Sequence, residues 1–324
     1  KKVAALRTEE DEPAPSAVRI ALRDVIGHCL YGVDLNPMAA ELCRVNLWLE
    51  ALVPGKPLTF LDHHIQVGNS LLGATPELIS KGIPDDAFNA IEGDDKKACA
   101  VLKKRNREER KSIAIEHANQ AEIIHERLCK SSLTLDAISD ESLVDIRNKE
   151  IAYRKMKTSD EHKLTLLLSD TWCASFVLRK VFQNPSDTKS VSGITLRHLD
   201  EIASGGSLPK DVLHEVHNLA IQYRFFHWHL AFPEVFERGG FDCVLGNPPW
   251  EHAELKEKEW FAECRPDIAN ASTGAERKRM IEVLKHEDPT LFASFTNAQR
   301  EHDGVSHFIG DSGRYPLCGR GRIN

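Results

Sequence analysis

The chain has 324 residues, 41% hydrophobic and 28% charged, with 42 Lys+Arg against 49 Asp+Glu and a formal net charge of −7. That composition belongs to a globular chain with room for two domains and enough apolar residues for a core. It excludes a membrane-spanning helix, since no apolar run approaches the roughly 20 residues one needs, and its sign gives no support for nucleic-acid binding.

Lys1 to Leu6 reads as a helix. Cys29 to Asp34 reads as a short apolar strand ending in a carboxylate; Leu35, Asn36 and Pro37 then turn the chain. Met38, Ala39, Leu42, Val45, Leu49 and Leu52 follow at helical spacing, with Pro37 placed at the first helical position. A strand that ends in Asp directly before a helix is how nucleotide-binding folds offer a carboxylate to a ribose diol. Standing alone, Asp34 would sooner be read as a turn or helix-capping residue. Asp62 to Leu72 reads as a second strand, broken at Gly68, and Gly68-Asn69-Ser70 is also ordinary turn composition.

From Gly73 to about Leu213 the chain changes character. Asp94 to Lys130, free of Pro and Gly, reads as one or two long amphipathic helices, and Asp140 to Val181 continues in kind. Lys103, Lys104, Arg105, Arg107, Arg110 and Lys111 are interrupted by Glu108 and Glu109, which favours a solvated helix face. Pro185 to Asp187 and Ser204 to Ser207 mark loops. His214 and His217 lie on a helical pattern with no third metal ligand nearby. His227 and His229 alternate in a Phe/Trp-rich strand or turn and read as satisfied core histidines, with Phe225, Phe226, Trp228, Phe232 and Phe236 as core. Eight cysteines, at 29, 43, 99, 129, 173, 243, 264 and 318, form no C-x-x-C pair. That argues against a zinc site or a disulfide framework, and for a reducing compartment such as the cytoplasm.

Phe241 to Gly246 reads as a buried, parallel-type strand stopped by Gly and Pro. Asn247, Pro248, Pro249 and Trp250 follow it. Each proline fixes its own φ and removes a donor, and the residue before a proline is held extended. The Asn247 side-chain oxygen and the Pro248 carbonyl can therefore accept the two hydrogens of an exocyclic amino group, with Trp250 against the ring that carries it. The plain alternative is a proline-stiffened strand exit with a packed aromatic.

The tetrapeptide 247–250 resembles motif IV of the S-adenosylmethionine-dependent amino-methyltransferases, chiefly the N6-adenine DNA methyltransferases. Tyr31 to Met38 closely resembles their motif II, and Asp62 to Leu72 looks like motif III, in the same order. Tyr223 to His229, Phe232 to Phe236 and Gly239 to Glu251, with Val18 to Gly73, resemble the large prokaryotic type II/IIG restriction-modification and phage-defence adenine methylases. The likeness runs over nearly the whole chain. It implies an α/β fold: part of a Rossmann-like class I sheet, with a large helical insertion between motifs III and IV. The cofactor implied is S-adenosyl-L-methionine, with Asp34 on its ribose hydroxyls, Leu35 beside it, and Gly68 and Asn69 at its adenine. Many relatives carry Asp in place of Asn69. Catalysis is assigned to Asn247, Pro248, Pro249 and Trp250, acting without a metal on N6 of an adenine flipped from double-stranded DNA, with restriction or defence-system subunits as partners.

Two departures accompany the likeness. No glycine-rich loop precedes Asp34, and Arg322 stands where a comparable stretch often has Asp. The chain is therefore expected to be an internal fragment of a longer protein, without the first strand, the glycine-rich motif I or a target-recognition domain. Its expected parts are 1–75 and 216–262 as two pieces of a methyltransferase domain, 76–215 as the helical insertion, and 263–324 as an incomplete C-terminal segment. The alternatives are the same fold acting on RNA adenine or a protein glutamine amide, or a truncated binding and assembly module.

Overall fold

In the computed structural model the described residues are 1–9, 11–112, 134–135, 137–184, 187–246 and 255–317, side chains of 187–189 excepted. Two helices, α1 (Lys2–Thr8) and α2 (Pro15–Cys29), precede strand β1 (Gly32–Asp34). Helix α3 (Pro37–Glu50) connects β1 to β2 (Ile65–Val67), and the two strands pair in parallel, Gly32 opposite Ile65, Val33 opposite Gln66 and Asp34 opposite Val67. Parallel neighbours need such a crossover, because a tight turn can only reverse the chain. The sequence supports it locally: Pro37 opens α3 where its missing N–H matters least, and the Asn36 side chain caps the helix by accepting from Met38 N–H. Arg44, one face of α3 away, turns its guanidinium onto the Ile65 carbonyl at 2.6 Å. Ile26, Ala51 and Leu61 form a small core with Leu47 and Trp48.

The remaining elements are α4 (Pro76–Ser80), a 3₁₀ turn (Asp85–Phe88), α5 (Lys96–Ser112), α6 (Leu143–Thr158) and α7 (Asp160–Val177). A two-stranded antiparallel pair, β3 (Phe182–Asn184) and β4 (Asp187–Val191), leads to α8 (Leu196–Ala203) and α9 (Lys210–Tyr223). Short helices α10 (Trp228–Ala231), α11 (Pro233–Glu237), α12 (Glu257–Phe261) and α13 (Pro266–Ala269) precede the long pair α14 (Gly274–Glu287) and α15 (Pro289–Asp311). The chain is thus mixed α/β, mostly helical with small sheets. Of the helices expected within 94–130 and 140–181, the described residues form Lys96–Ser112, Leu143–Thr158 and Asp160–Val177.

Two compact units share these elements. The first comprises Lys1–Lys81, Ile115–Asp170 and Asp200–Val244. The second comprises Gly82–Ala114, Thr171–Leu199 and Leu245–Asn324. In the second, Trp172, Phe176 and Phe308 pack edge to face, and Phe261, Ile268, Ile281, Leu284 and Phe295 form a further cluster. A buried ion network ties that unit together: Asp94 meets Arg300 at 2.8 Å, while the Lys180 amide donates to the same carboxylate at 3.0 Å.

One expectation needs correction. Phe241 to Gly246 is not a strand, and Val244 and Leu245 are exposed. A strand exists only with a neighbour that completes its ladder, and among the described residues this stretch has none. On α3, Met38, Leu42, Val45 and Leu49 are exposed, while Ala40 and Arg44 face inward. Among the described residues no helix is long and apolar enough to cross a membrane.

Candidate functional site at the carboxyl ends of the parallel strands

Parallel pairing brings two loops side by side. Strand β1 delivers Asp34, whose carboxylate accepts the Asn36 N–H at 2.7 Å. Strand β2 ends at Val67, and the next amide, Gly68 N–H, donates to the Asp34 carbonyl at 3.0 Å. Asp34, Leu35, Gly68 and Asn69 are thereby gathered at one end of the strand pair. Asp34 and Leu35 are exposed. With one amide on Oδ1, the Asp34 carboxylate retains acceptor capacity for a pair of hydroxyl groups. The Asn69 side-chain oxygen accepts Leu71 N–H at 3.1 Å, an Asx turn that leaves its NH₂ group to donate. An acceptor for a diol beside a donor for a ring nitrogen is a donor set that fits a nucleoside.

A third segment closes the site: in the sequence its Phe225, Phe226 and Trp228 read as core, and no role at the site is assigned to it. Residues 224–228 run along 69–74 and are fastened to them four times. Asn69 N–H donates to the Arg224 carbonyl at 2.7 Å, and Phe226 N–H to the Leu72 carbonyl at 2.7 Å. The Trp228 indole N–H donates to the Ser70 carbonyl at 2.9 Å, and Ala74 N–H donates to His227 Nδ1 at 3.1 Å. That last bond leaves His227 Nε2 as the protonated nitrogen, which donates to the Asp170 carboxylate at 2.9 Å. His227 is thus a satisfied core histidine, as its surroundings in the sequence suggested. The two glycines of the facing strip are required by this fit: a Cβ on Gly68 would lie 2.5 Å from Phe226 Cδ2, and one on Gly73 would lie 2.0 Å from the Phe226 carbonyl oxygen. The spacing of Gly68 and Gly73, beside an aromatic run elsewhere in the chain, was the signal available for this contact.

Below the loops lies an aromatic cluster. Phe226, Ala231, Phe232 and Val235 are buried, and Tyr31, Val33, Trp228 and Phe241 pack on them. Tyr31 also stacks on His64 with ring centroids 4.1 Å apart. Burial, then the neighbouring His63 and Lys149, hold His64 well below the usual histidine range. Burial, then Lys157 and His227, push His162 down to about 4. Both rings are neutral, apolar parts of the core at neutral pH.

Asn247, Pro248, Pro249 and Trp250 lie outside the described residues, as do residues 318–324 of the tail. The free thiols Cys29, Cys43, Cys99, Cys173, Cys243 and Cys264 stand apart, and among the described residues no group of His, Cys, Asp and Glu could hold a metal ion.

Comparison with known proteins supplies the context. A profile of the Eco57I restriction-modification methylase family matches residues 28–280. The chain is 22% identical over 248 residues to a putative type II restriction enzyme and methyltransferase of Methanocaldococcus jannaschii. That alignment takes in 70% of this chain and 18% of the archaeal protein, so the chain spans under a fifth of its relative's length. No solved structure matches.

Proposed function

Since the chain belongs to the Eco57I restriction-modification methylase family, we propose that it carries the methyl-transfer machinery for N6 of adenine in double-stranded DNA, with S-adenosyl-L-methionine as methyl donor. The setting is a restriction-modification or phage-defence system in the cytoplasm, with restriction or defence subunits as partners. The β1–α3–β2 unit is read as part of a Rossmann-like sheet. In this reading 1–75 and 216–262 are two pieces of one methyltransferase domain, 76–215 is its helical insertion, and 263–324 is a C-terminal segment.

One observation carries the cofactor half of this reading: the 3.0 Å bond between Gly68 N–H and the Asp34 carbonyl, which joins the two loops whose wording matches motifs II and III. Asp34 accepts the ribose hydroxyls, Leu35 borders the ribose, and Gly68 and Asn69 edge the adenine. The bound cofactor supplies a methyl group already activated on a sulfonium, so the protein's task is mostly positioning. Asn247 and the Pro248 carbonyl accept the hydrogens of the target amino group and weaken the conjugation of its lone pair with the ring. Pro248 and Pro249 are assigned the stiffening of that backbone, since each proline fixes its own φ and restricts the residue before it. Trp250 stacks on the flipped base, returning about 1–3 kcal/mol of an unstacking cost of a few kcal/mol.

Titration of the chain with S-adenosylmethionine, beside an Asp34→Ala variant, tests the cofactor site. Heat of binding in the first and none in the second is expected. Methyl transfer to duplex DNA, RNA and a glutamine-containing protein then sorts the substrates, and DNA alone should be modified. In an active form Asn247→Ala should lose on the order of 10²–10³ in rate, the scale of one well-placed hydrogen-bonding group. Near-full activity of that variant would sink the assignment of motif IV.

A further inference from the structure

The structure assigns Arg224 a positioning role that neither motif contains: it couples the loop of Asp34 to the loop of Asn69 and orients the Asp34 carboxylate. The inference rests on the reading of those loops as the cofactor site. Arg224 reaches both at once. Its backbone carbonyl accepts Asn69 N–H at 2.7 Å, and its Nη1 donates to the carbonyl of Leu35, 189 positions away in the chain.

The Leu35 carbonyl is half of a particular peptide group. The other half is Asn36 N–H, which donates to Asp34 Oδ1 at 2.7 Å. A peptide unit is planar, so a guanidinium that pins its carbonyl also fixes the direction of its N–H, and through it the carboxylate. A cation on the carbonyl oxygen polarises the same unit and strengthens its N–H as a donor. The path therefore runs from Asn69 through Arg224 and the 35–36 peptide to Asp34, with every link a hydrogen bond.

The backbone at Arg224 points the same way. It ends α9 in the left-handed region, φ 50° and ψ 52°, where helices usually place glycine. Among the described residues only Glu9 shares a positive φ without being glycine. A long side chain at a position that favours glycine is accounted for by what its guanidinium holds. The four fastenings between 224–228 and 69–74 supply the surrounding rigidity that such a conformation requires.

Arg224→Gly separates the two possible meanings of this residue, because glycine suits the left-handed backbone and takes away the side chain that reaches the Leu35 carbonyl. The thermal unfolding midpoint should stay level or rise. Amide hydrogen exchange at Asn36 should quicken about fivefold, and S-adenosylmethionine should bind about fivefold more weakly, the scale of one net hydrogen bond. Arg224→Lys, which can still donate to the Leu35 carbonyl, should restore most of both. Unchanged exchange at Asn36 in Arg224→Gly would overturn the proposal, as would equal cofactor affinity in the two proteins. Absence of binding to the unaltered chain would overturn the cofactor reading alone, and the Asn36 exchange rate would still decide the role of Arg224.

Discussion

Gly73 and Gly68 show how narrowly the 69–74 strip is fitted. A methyl group on Gly73 meets the Phe226 carbonyl oxygen at 2.0 Å, on a backbone that the Phe226-to-Leu72 bond fastens to this strip. On Gly68 it meets the edge of the Phe226 ring at 2.5 Å, and a ring can tilt. Overpacking of this kind costs about 1–3 kcal/mol. Gly73→Ala should therefore lose about 3 kcal/mol in denaturant unfolding, and Gly68→Ala nearer 1 kcal/mol. Equal stability of Gly73→Ala and the unaltered protein would show that residue 226 does not lie against this strip. Gly68 was legible in the sequence as a strand breaker. That it also makes room for Phe226 was not, since the ring that demands it lies far along the chain.

At the scale of elements, helices and caps follow from local pattern. Asn36 and Pro37 announce α3, Ser142 with Asp145 forms a capping box for α6, and the charged middle supplies the helices Lys96–Ser112, Leu143–Thr158 and Asp160–Val177. How elements are joined is less local. Buried Asn106 on α5 donates to the Ile83 carbonyl at 3.0 Å and accepts Leu196 N–H, the first residue of α8, at 2.9 Å. Replacing it by leucine keeps the bulk but leaves both backbone groups without a partner, at about 1–3 kcal/mol each. Asn106→Leu should unfold at a denaturant concentration lower by about 2 kcal/mol or more in equivalent stability, and no loss would mean that water takes over both bonds. The expected strand at 241–246 failed at this scale. Its residues have strand composition, but composition cannot supply the neighbour a strand needs.

Across the whole molecule, buried titratable groups set the pH range of stability. His64 and His162 stay neutral in the folded chain and have lower pKa values there than when unfolded. Below about pH 6.5 the unfolded chain binds more protons, so the stability these rings contribute is present above that pH and is lost as pH falls. With His162 held down to about 4, the loss from that ring reaches about 3 kcal/mol by pH 4. His162→Leu should flatten the fall of the unfolding midpoint between pH 6.5 and 4, and an unchanged slope would remove His162 as its source. Lys180, in the other unit, acts with the same sign at the alkaline end: burial lowers it to about 8, so stability should rise from pH 8 towards 10.5 as the unfolded ammonium alone stays charged. The order of strand, turn and helix around Asp34, the break at Gly68 and the amphipathic middle could all be read from the amino acids in order. Each depends on a residue's own backbone preference or on neighbours a few positions away. The pairing of β1 with β2, the exposure of the α3 stripe and the fastening of 69–74 by Arg224 to Trp228 could not. Those depend on which distant groups satisfy one another's hydrogen bonds once the chain has closed, and a linear pattern carries no record of that choice.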